Sequence, residues 1–160
     1  MFDTSFGLPV HALVIHAVVV LVPLCSAAVV VMAVSATWRE RLRLPVLLLL
    51  LAAAGSSLVA KESGEALLRR LRLTGDLIGR HVTLGNSAPY IVFAFCGLYV
   101  VWFWFSRPTN TVAAATPARL KLLLYVTAAF GVFALVWVVL TGHAGSQTVW
   151  SQIVQSTNSR

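Results

Sequence analysis

Four long runs of apolar residues, separated by short polar segments, dominate the pattern of this chain. They cover residues 9–37, 44–60, 88–106 and 120–142, and apart from Lys121 at the start of the fourth run they hold no Asp, Glu, Lys or Arg. About 20 apolar residues suffice for a helix to cross the hydrocarbon core of a bilayer, and backbone groups in lipid must find their hydrogen bonds within the segment. The pattern therefore predicts an all-α fold, a bundle of four transmembrane helices that forms a single domain over residues 1–160.

The polar segment between the second and third runs has a helical pattern of its own. Over residues 62–72, three leucines fall on one face of a helix and three arginines surround the rest. These residues are Leu67, Leu68 and Leu71, and Arg69, Arg70 and Arg72. The arginines of such a helix reach lipid phosphates when the helix lies in the headgroup plane. We expect a short amphipathic interfacial helix here, with its three arginines as lipid contacts.

Composition and charge favour a membrane environment over solution. Hydrophobic residues make up 59% of the chain and charged residues 11%, against about 45–50% and about 25% in soluble domains. The formal net charge is +7. Because the basic residues flank apolar runs, anionic lipid headgroups are the expected counter-charge, and nucleic acid is not expected as a partner.

The distribution of basic residues predicts an orientation. The two sides of the membrane carry six basic residues each, but the short connection after the first run concentrates Arg39, Arg41 and Arg43. The preference of basic residues for the cytoplasmic side is strongest in short connections. We expect a multi-pass protein of the bacterial inner (plasma) membrane with both termini outside the cytoplasm.

All four histidines are predicted to lie near one face of the membrane. His11 and His16 open the first run, His81 lies in the second connection, and His143 ends the fourth run. With four crossings, these positions share a side whatever the orientation of the bundle. Neutral imidazole is a common ligand of haem iron, copper and zinc, and ionisable groups within a membrane span are functional candidates.

A haem b or a metal ion held by two of these histidines is one hypothesis for their role. His16 lies roughly 10 Å along the first helix, at a depth comparable to that of His143, which makes these two the first choice of ligands. His11 and His81 come second, because a histidine at a helix end also caps carbonyls or binds headgroups. His11 and His16 are separated by about 140° around a helix, so they are not expected to bind the same ion.

The remaining sequence offers no catalytic chemistry. It contains no CxxC motif, no nucleotide-binding loop and no nucleophile–base pattern, so we do not expect an enzyme. Cys25 and Cys96 lie roughly 24 Å and 12 Å from the outer ends of their runs at the helical rise. This difference in depth argues against a disulfide between them.

Small residues in the second run allow close approach of another helix. Residues 52–57 read Ala-Ala-Ala-Gly-Ser-Ser, and such residues are typical of helix–helix contacts in membranes. They serve either packing within the bundle or docking onto a partner through Gly55 and Ser56. Because the chain has little mass outside the membrane, our leading hypothesis is a non-enzymatic accessory subunit of a larger cell-envelope complex, for example a lipid transporter or a respiratory assembly.

Short motifs along the whole chain resemble those of a bacterial protein family. They are GLPVHALVIH at residues 7–16, KESGE at 61–65, His81 with LG at 84–85, and TGHAG at 141–145. They are similar to the pattern of the actinobacterial members of a family of small four-helix membrane proteins of unknown function. The resemblance implies four helices and a shared set of histidines, namely His11, His16, His81 and His143, for which haem binding has been proposed.

Overall fold

The computed structural model describes residues 4–5, 8–72, 76–106 and 117–158. Four helices make up almost all of this part of the chain: α1 (Val10–Val34), α2 (Ala36–Leu71), α3 (Asp76–Phe105) and α4 (Ala118–Asn158). Two short strands, β1 (Thr4–Ser5) and β2 (Leu8–Pro9), pair antiparallel immediately before α1.

All four helices are long and apolar enough to cross a membrane. This confirms the predicted four-helix transmembrane bundle and makes the chain a multi-pass membrane protein. The helices α1 and α3 each pack mainly against α2 and α4. Successive helices run in opposite directions, so α1 and α3 run in the same direction and face each other across the diagonal of the bundle.

Three of the helices extend beyond the apolar runs that predicted them. The helix α2 begins at Ala36 and ends at Leu71, α3 begins at Asp76, and α4 continues to Asn158. Hydropathy detects only the part of a helix that lipid surrounds, whereas a helix continues through polar residues until a residue ends it. The predicted spans are therefore the central portions of longer helices.

Residues 62–71 are helical, as expected, but they continue α2 instead of forming a separate interfacial helix. Two contacts within the helix support its continuation through these polar residues. The Ser63 hydroxyl donates to the carbonyl of Val59 at 2.6 Å, and Lys61 forms an ion pair with Glu65, one turn later, at 2.8 Å. The helix ends at Arg72, whose φ of 49° is in the left-handed region.

The first connection is a single extended residue, Ser35, and the basic block that follows is the helical start of α2. We call this the arginine end of the bundle, defined by Arg39, Arg41 and Arg43. The Arg39 guanidinium donates to the carbonyls of residues 32 and 33 near the end of α1, at 2.9 and 3.2 Å. Arg43 donates to the carbonyl of Phe103, near the end of α3, at 2.6 Å.

The core lies along the axis of the bundle and combines large and small side chains. Tyr99 and Trp102 of α3 are fully buried. Phe95 packs so closely on Gly131 that a Cβ there would lie 2.7 Å from the ring. The buried Ser26 hydroxyl of α1 lies 2.8 Å from the carbonyl oxygen of the same glycine in α4. These contacts hold α1, α3 and α4 at short separations, which is the role that small residues play between membrane helices.

Candidate functional site

The rings of His11 and His81 meet at the end of the bundle opposite the arginine end. His11 lies in the first turn of α1 and His81 in the second turn of α3, so they come from diagonally opposed helices. Their ring centroids are 6.3 Å apart and the ring planes are inclined by 76°. We call these two residues the histidine pair, and the end of the bundle on which they lie the histidine end.

Each ring of the histidine pair is anchored to a neighbouring helix. The Nδ1 of His11 bonds the carbonyl oxygen of Ala60 in α2 at 2.8 Å, and the Nδ1 of His81 bonds that of Thr141 in α4 at 3.0 Å. The two side chains therefore connect all four helices at one level. A carbonyl oxygen only accepts hydrogen bonds, so both Nδ1 atoms carry the proton.

Two glycines make room for these rings. A Cβ at position 64 would lie 3.0 Å from Nδ1 and Cε1 of His11, and one at position 145 would lie 2.9 Å from Cε1 of His81. Each glycine follows the carbonyl that anchors the ring by one helical turn, as Gly64 follows Ala60 and Gly145 follows Thr141. The bare backbone of α2 and of α4 thus lies directly against an imidazole edge.

The hydrogen bonds determine what the histidine pair can do chemically. With Nδ1 protonated, the Nε2 of each neutral ring carries a lone pair and acts as an acceptor. Neither Nε2 has a hydrogen-bond partner in the described part of the chain. Histidines that bind metals almost always donate their other ring N–H to a carbonyl, a carboxylate or water, and this pair has that arrangement on both sides.

The acidic residues near the histidine pair form ion pairs with basic side chains. Glu65 lies 2.8 Å from the ammonium of Lys61 and 3.7 Å from the guanidinium of Arg69, and Glu62 lies 3.8 Å from Lys61. Within the described ranges, no group of three or more His, Cys, Asp or Glu side chains could hold a metal ion. Among the described residues, the histidine pair is therefore the candidate set of ligands at this end of the bundle.

The other two histidines lie on outward faces. Both His16 and His143 are exposed, and the Nδ1 of His16 bonds the carbonyl of Ala12 in its own helix. The angular separation of His11 and His16 explains the difference, since His11 faces the core and His16 faces outward. The sequence ranked His16 and His143 first as ligands, whereas the geometry brings together the two histidines that it ranked second.

The predicted contact residues for lipid and partners lie on the surface. Arg69 and Arg70 in the last turn of α2 and Arg72 at its end are exposed, as is Gly55, while Ser56 is half-buried. A Cβ at Gly55 would have no neighbouring atom within 4 Å, so this glycine does not serve packing within the bundle. Their contacts with lipid or with a partner stay predictions.

A shallow groove along the outer part of α4 is a separate feature. It is lined by Ser146, Gln147, Trp150, Ser151 and Val154, and none of the four histidines takes part in it. The groove is open and has no titratable side chain in its lining. The candidate chemistry of this end therefore rests on the histidine pair.

A signal for the histidine pair is present in the sequence in two short motifs. KESGE at residues 61–65 carries Gly64, and TGHAG at residues 141–145 carries the anchoring Thr141 and also Gly145. Each glycine follows an anchoring carbonyl by four residues. The tertiary structure alone shows which histidine ring donates a hydrogen bond to each carbonyl.

The chain matches no protein-family model, and comparisons with curated proteins and with solved structures gave no match either. The case for a function therefore rests on the geometry of the bundle.

Proposed function

We propose that this protein is a membrane subunit that carries a metal centre between His11 and His81. One observation carries the proposal: both rings use their Nδ1–H on backbone carbonyls of α2 and α4, so each neutral ring keeps an Nε2 lone pair that can bind a cation. Metal ions and haem iron bind neutral imidazole through this nitrogen.

The number of protein ligands available at the histidine end limits which metals it could hold. Structural zinc takes four protein ligands, which this end lacks among the described residues. A haem or a Cu(I) ion would need no more than two protein ligands, so His11 and His81 would suffice to hold either group.

The proposal is tested on the protein purified gently from its native membrane. We expect either a reduced-minus-oxidised haem spectrum or bound copper by elemental analysis. The variants His11→Asn and His81→Asn should each lose it, because an asparagine amide can still donate to the carbonyl but offers no ring nitrogen. The matched controls are His16→Asn and His143→Asn, which should keep it.

Two results would contradict the metal centre. One is a colourless, metal-free wild-type protein from cells supplied with both haem and copper. The other is loss of the centre in the control variants with retention in the His11 and His81 variants, which would assign the ligands to the exposed histidines instead.

An accessory role in a larger cell-envelope complex is a second proposal, compatible with the first. It is supported by Gly55, which lies on the outward face of α2, where a Cβ would meet no atom within 4 Å. Exposed leucines surround it on that face, at positions 48, 51 and 58. A glycine flanked by leucines lets another membrane helix approach closely.

Co-purification in mild detergent tests the accessory role. We expect stoichiometric partner subunits with the wild-type protein and their loss in Gly55→Leu. The control is Gly97→Leu on α3, a position equally open. A wild-type protein that runs alone at its own mass would rule out a stable complex.

We further propose that the protein lies in the bacterial plasma membrane with its histidine end outside the cytoplasm. The short connection before Arg39, Arg41 and Arg43 supports this orientation. Single cysteines at Thr37 and Ser146, both exposed positions, test it. An impermeant maleimide added to intact cells should label Ser146→Cys and not Thr37→Cys, and the converse would reverse the orientation.

A further inference from the structure

The four helices form two hairpins, and each hairpin contributes one ring to the histidine pair. The first hairpin consists of α1 and α2, which are joined by the single residue Ser35, and the second consists of α3 and α4. His11 belongs to the first hairpin and His81 to the second. The edge-on contact between the two rings, with centroids 6.3 Å apart, is therefore a contact between the hairpins.

The hydrogen bonds at the histidine end stay within the hairpins. His11 donates to α2 and His81 to α4, and the indole N–H of Trp137 in α4 donates to the carbonyl of Leu84 in α3 at 3.1 Å. Among the described residues at the level of the histidine pair, no side-chain hydrogen bond joins one hairpin to the other. Because each Nδ1–H is used on a carbonyl of its own hairpin, neither neutral ring has a donor left for the other.

Hydrogen bonds between the hairpins lie nearer the arginine end. The Ser26 hydroxyl of α1 lies 2.8 Å from the carbonyl oxygen of Gly131 in α4. The Tyr99 hydroxyl of α3 donates to the carbonyl of Arg43 in α2 at 2.8 Å, and the Arg43 guanidinium donates to the carbonyl of Phe103 at 2.6 Å. These bonds are costly to break in lipid, where no water replaces them, so they hold the hairpins together in this half of the bundle.

The buried apolar core also ends before the histidine end. On the two diagonal helices it begins at Val18 of α1 and Val92 of α3, about 10 Å and about 16 Å along those helices from the histidine pair at the helical rise. At the arginine end it reaches Ala33 and Trp102, near the ends of the same helices. Regions with few buried apolar contacts open at a lower free energy than the core. The histidine end is therefore the end at which the hairpins separate most easily.

We propose that the histidine pair is a clamp that its bound metal closes. The clamp rests on the proposed metal centre: a metal held by the Nε2 of both rings joins the hairpins where the described residues provide no hydrogen bond between them, and both Nδ1–H bonds stay in place. A ligand shifts a conformational equilibrium through its preference for one state, and only the closed state brings both rings to one ion. Because α2 and α4 continue beyond the pair to Leu71 and Asn158, closing the clamp also changes the spacing of these two helix ends, which offers a partner subunit a signal of occupancy.

Distances between gadolinium spin labels, which withstand reducing conditions, test the clamp in lipid nanodiscs, first without a metal. One pair of labels, at Ala12→Cys and Thr83→Cys, reports on the hairpins at the histidine end, and a second, at Thr37→Cys and Ala118→Cys, reports on them at the arginine end. All four positions are exposed. In metal-free protein we expect the distance distribution of the first pair to be about twice as wide as that of the second. Equal widths at both ends would overturn the clamp.

A third pair of labels separates opening between the hairpins from movement of a single helix. Thr83→Cys and Ser146→Cys lie on α3 and α4 of the same hairpin, so their distribution should be as narrow as that at the arginine end. A distribution as wide as that of Ala12→Cys/Thr83→Cys would mean that α3 moves alone, which would also overturn the clamp. The buried Cys25 and Cys96 are replaced by alanine, and circular dichroism checks that these variants fold. Should that background not fold, the labels are placed in the otherwise wild-type chain, in which both thiols are buried.

Addition of the metal completes the test. Cu(I) or ferrous haem b, each added separately, should narrow the distribution at the histidine end to the width at the arginine end, and His11→Asn should abolish the narrowing. Elemental analysis and the visible spectrum of the same samples report binding. A metal that binds without narrowing the distribution would overturn the clamp and leave the metal centre standing. Protein that binds neither group would overturn the metal centre and the clamp together.

Discussion

The two ends of the bundle use polar side chains in the same way but are left with different chemistry. At the arginine end, Arg39 and Arg43 donate to carbonyls near the ends of α1 and α3. At the histidine end, His11 and His81 donate to carbonyls of α2 and α4. Both sets of bonds connect helices in a medium where an unpaired carbonyl is costly.

The two ends differ in the hydrogen-bonding atoms that remain on each side chain once it has bonded a backbone carbonyl. A guanidinium contains only donors, so all it can do is donate further. An imidazole that donates through Nδ1 keeps a lone pair on Nε2, which can bind a cation. The arginine end is therefore suited to anchoring alone, while the histidine end anchors and also presents a ligand.

The largest loss of stability is expected at the arginine end. Arg43→Ala removes the bond to the Phe103 carbonyl and the packing of the guanidinium 4.5 Å from the Phe103 ring centroid. Hydrogen bonds to charged groups contribute about 1.5–3 kcal/mol, so we expect the free energy of unfolding in mixed micelles to fall by about 2–3 kcal/mol. Metal binding at the histidine pair should be unchanged.

The control at the same end is Arg41→Ala. Arg41 is exposed and lies over the Trp38 ring at 5.7 Å, an interaction of about 0.5–1 kcal/mol at exposed sites. Equal losses for Arg41→Ala and Arg43→Ala would mean that the carbonyl bond does not anchor α3.

The next largest effect concerns the glycines beneath the rings. Gly64→Ala and Gly145→Ala place a Cβ about 3 Å from an imidazole edge, so each ring must shift from its carbonyl. We expect metal affinity to fall about tenfold, equivalent to about 1.4 kcal/mol, measured by competition with a chelator. Gly142→Ala, on the same helix with no atom within 4 Å, should leave affinity unchanged, and an equal fall there would point to a general change in α4.

Two substitutions of His11 distinguish its role as an anchor between helices from its role as a metal ligand. His11→Ala loses the bond to Ala60 and should lower the free energy of unfolding by about 1 kcal/mol. His11→Asn keeps a donor for that carbonyl, so its stability should stay closer to the wild type while metal binding is lost. If both variants kept the metal, His11 would be an anchor only.

The smallest effect is expected at the outward histidines. His16→Ala and His143→Ala remove exposed side chains, and surface substitutions usually change stability by less than about 0.5 kcal/mol. Thermal unfolding and metal content should both match the wild type. A clear loss of metal in either variant would restore the pair that the sequence ranked first.

The membrane fold could be predicted from the sequence because hydrophobic runs report directly on lipid exposure. The four spans needed only their length and their lack of charge, and the rotation between His11 and His16 already implied that they face in different directions. The ends of α2, α3 and α4 could not be located in this way, since residues 62–71, 76–87 and 143–158 are polar enough to resemble connections, and helices continue through them.

The pairing of side chains was decided by the tertiary structure. Which histidines meet depends on the diagonal arrangement of α1 and α3, and on the glycines of α2 and α4 that let the rings lie against the backbone. The level of Cys96 relative to Cys25 depends on where α3 begins. The sequence by itself determined four membrane helices and a shared end for the histidines, because both follow from hydropathy and the number of crossings. Contacts between particular residues followed only from helix length, register and rotation, which packing sets.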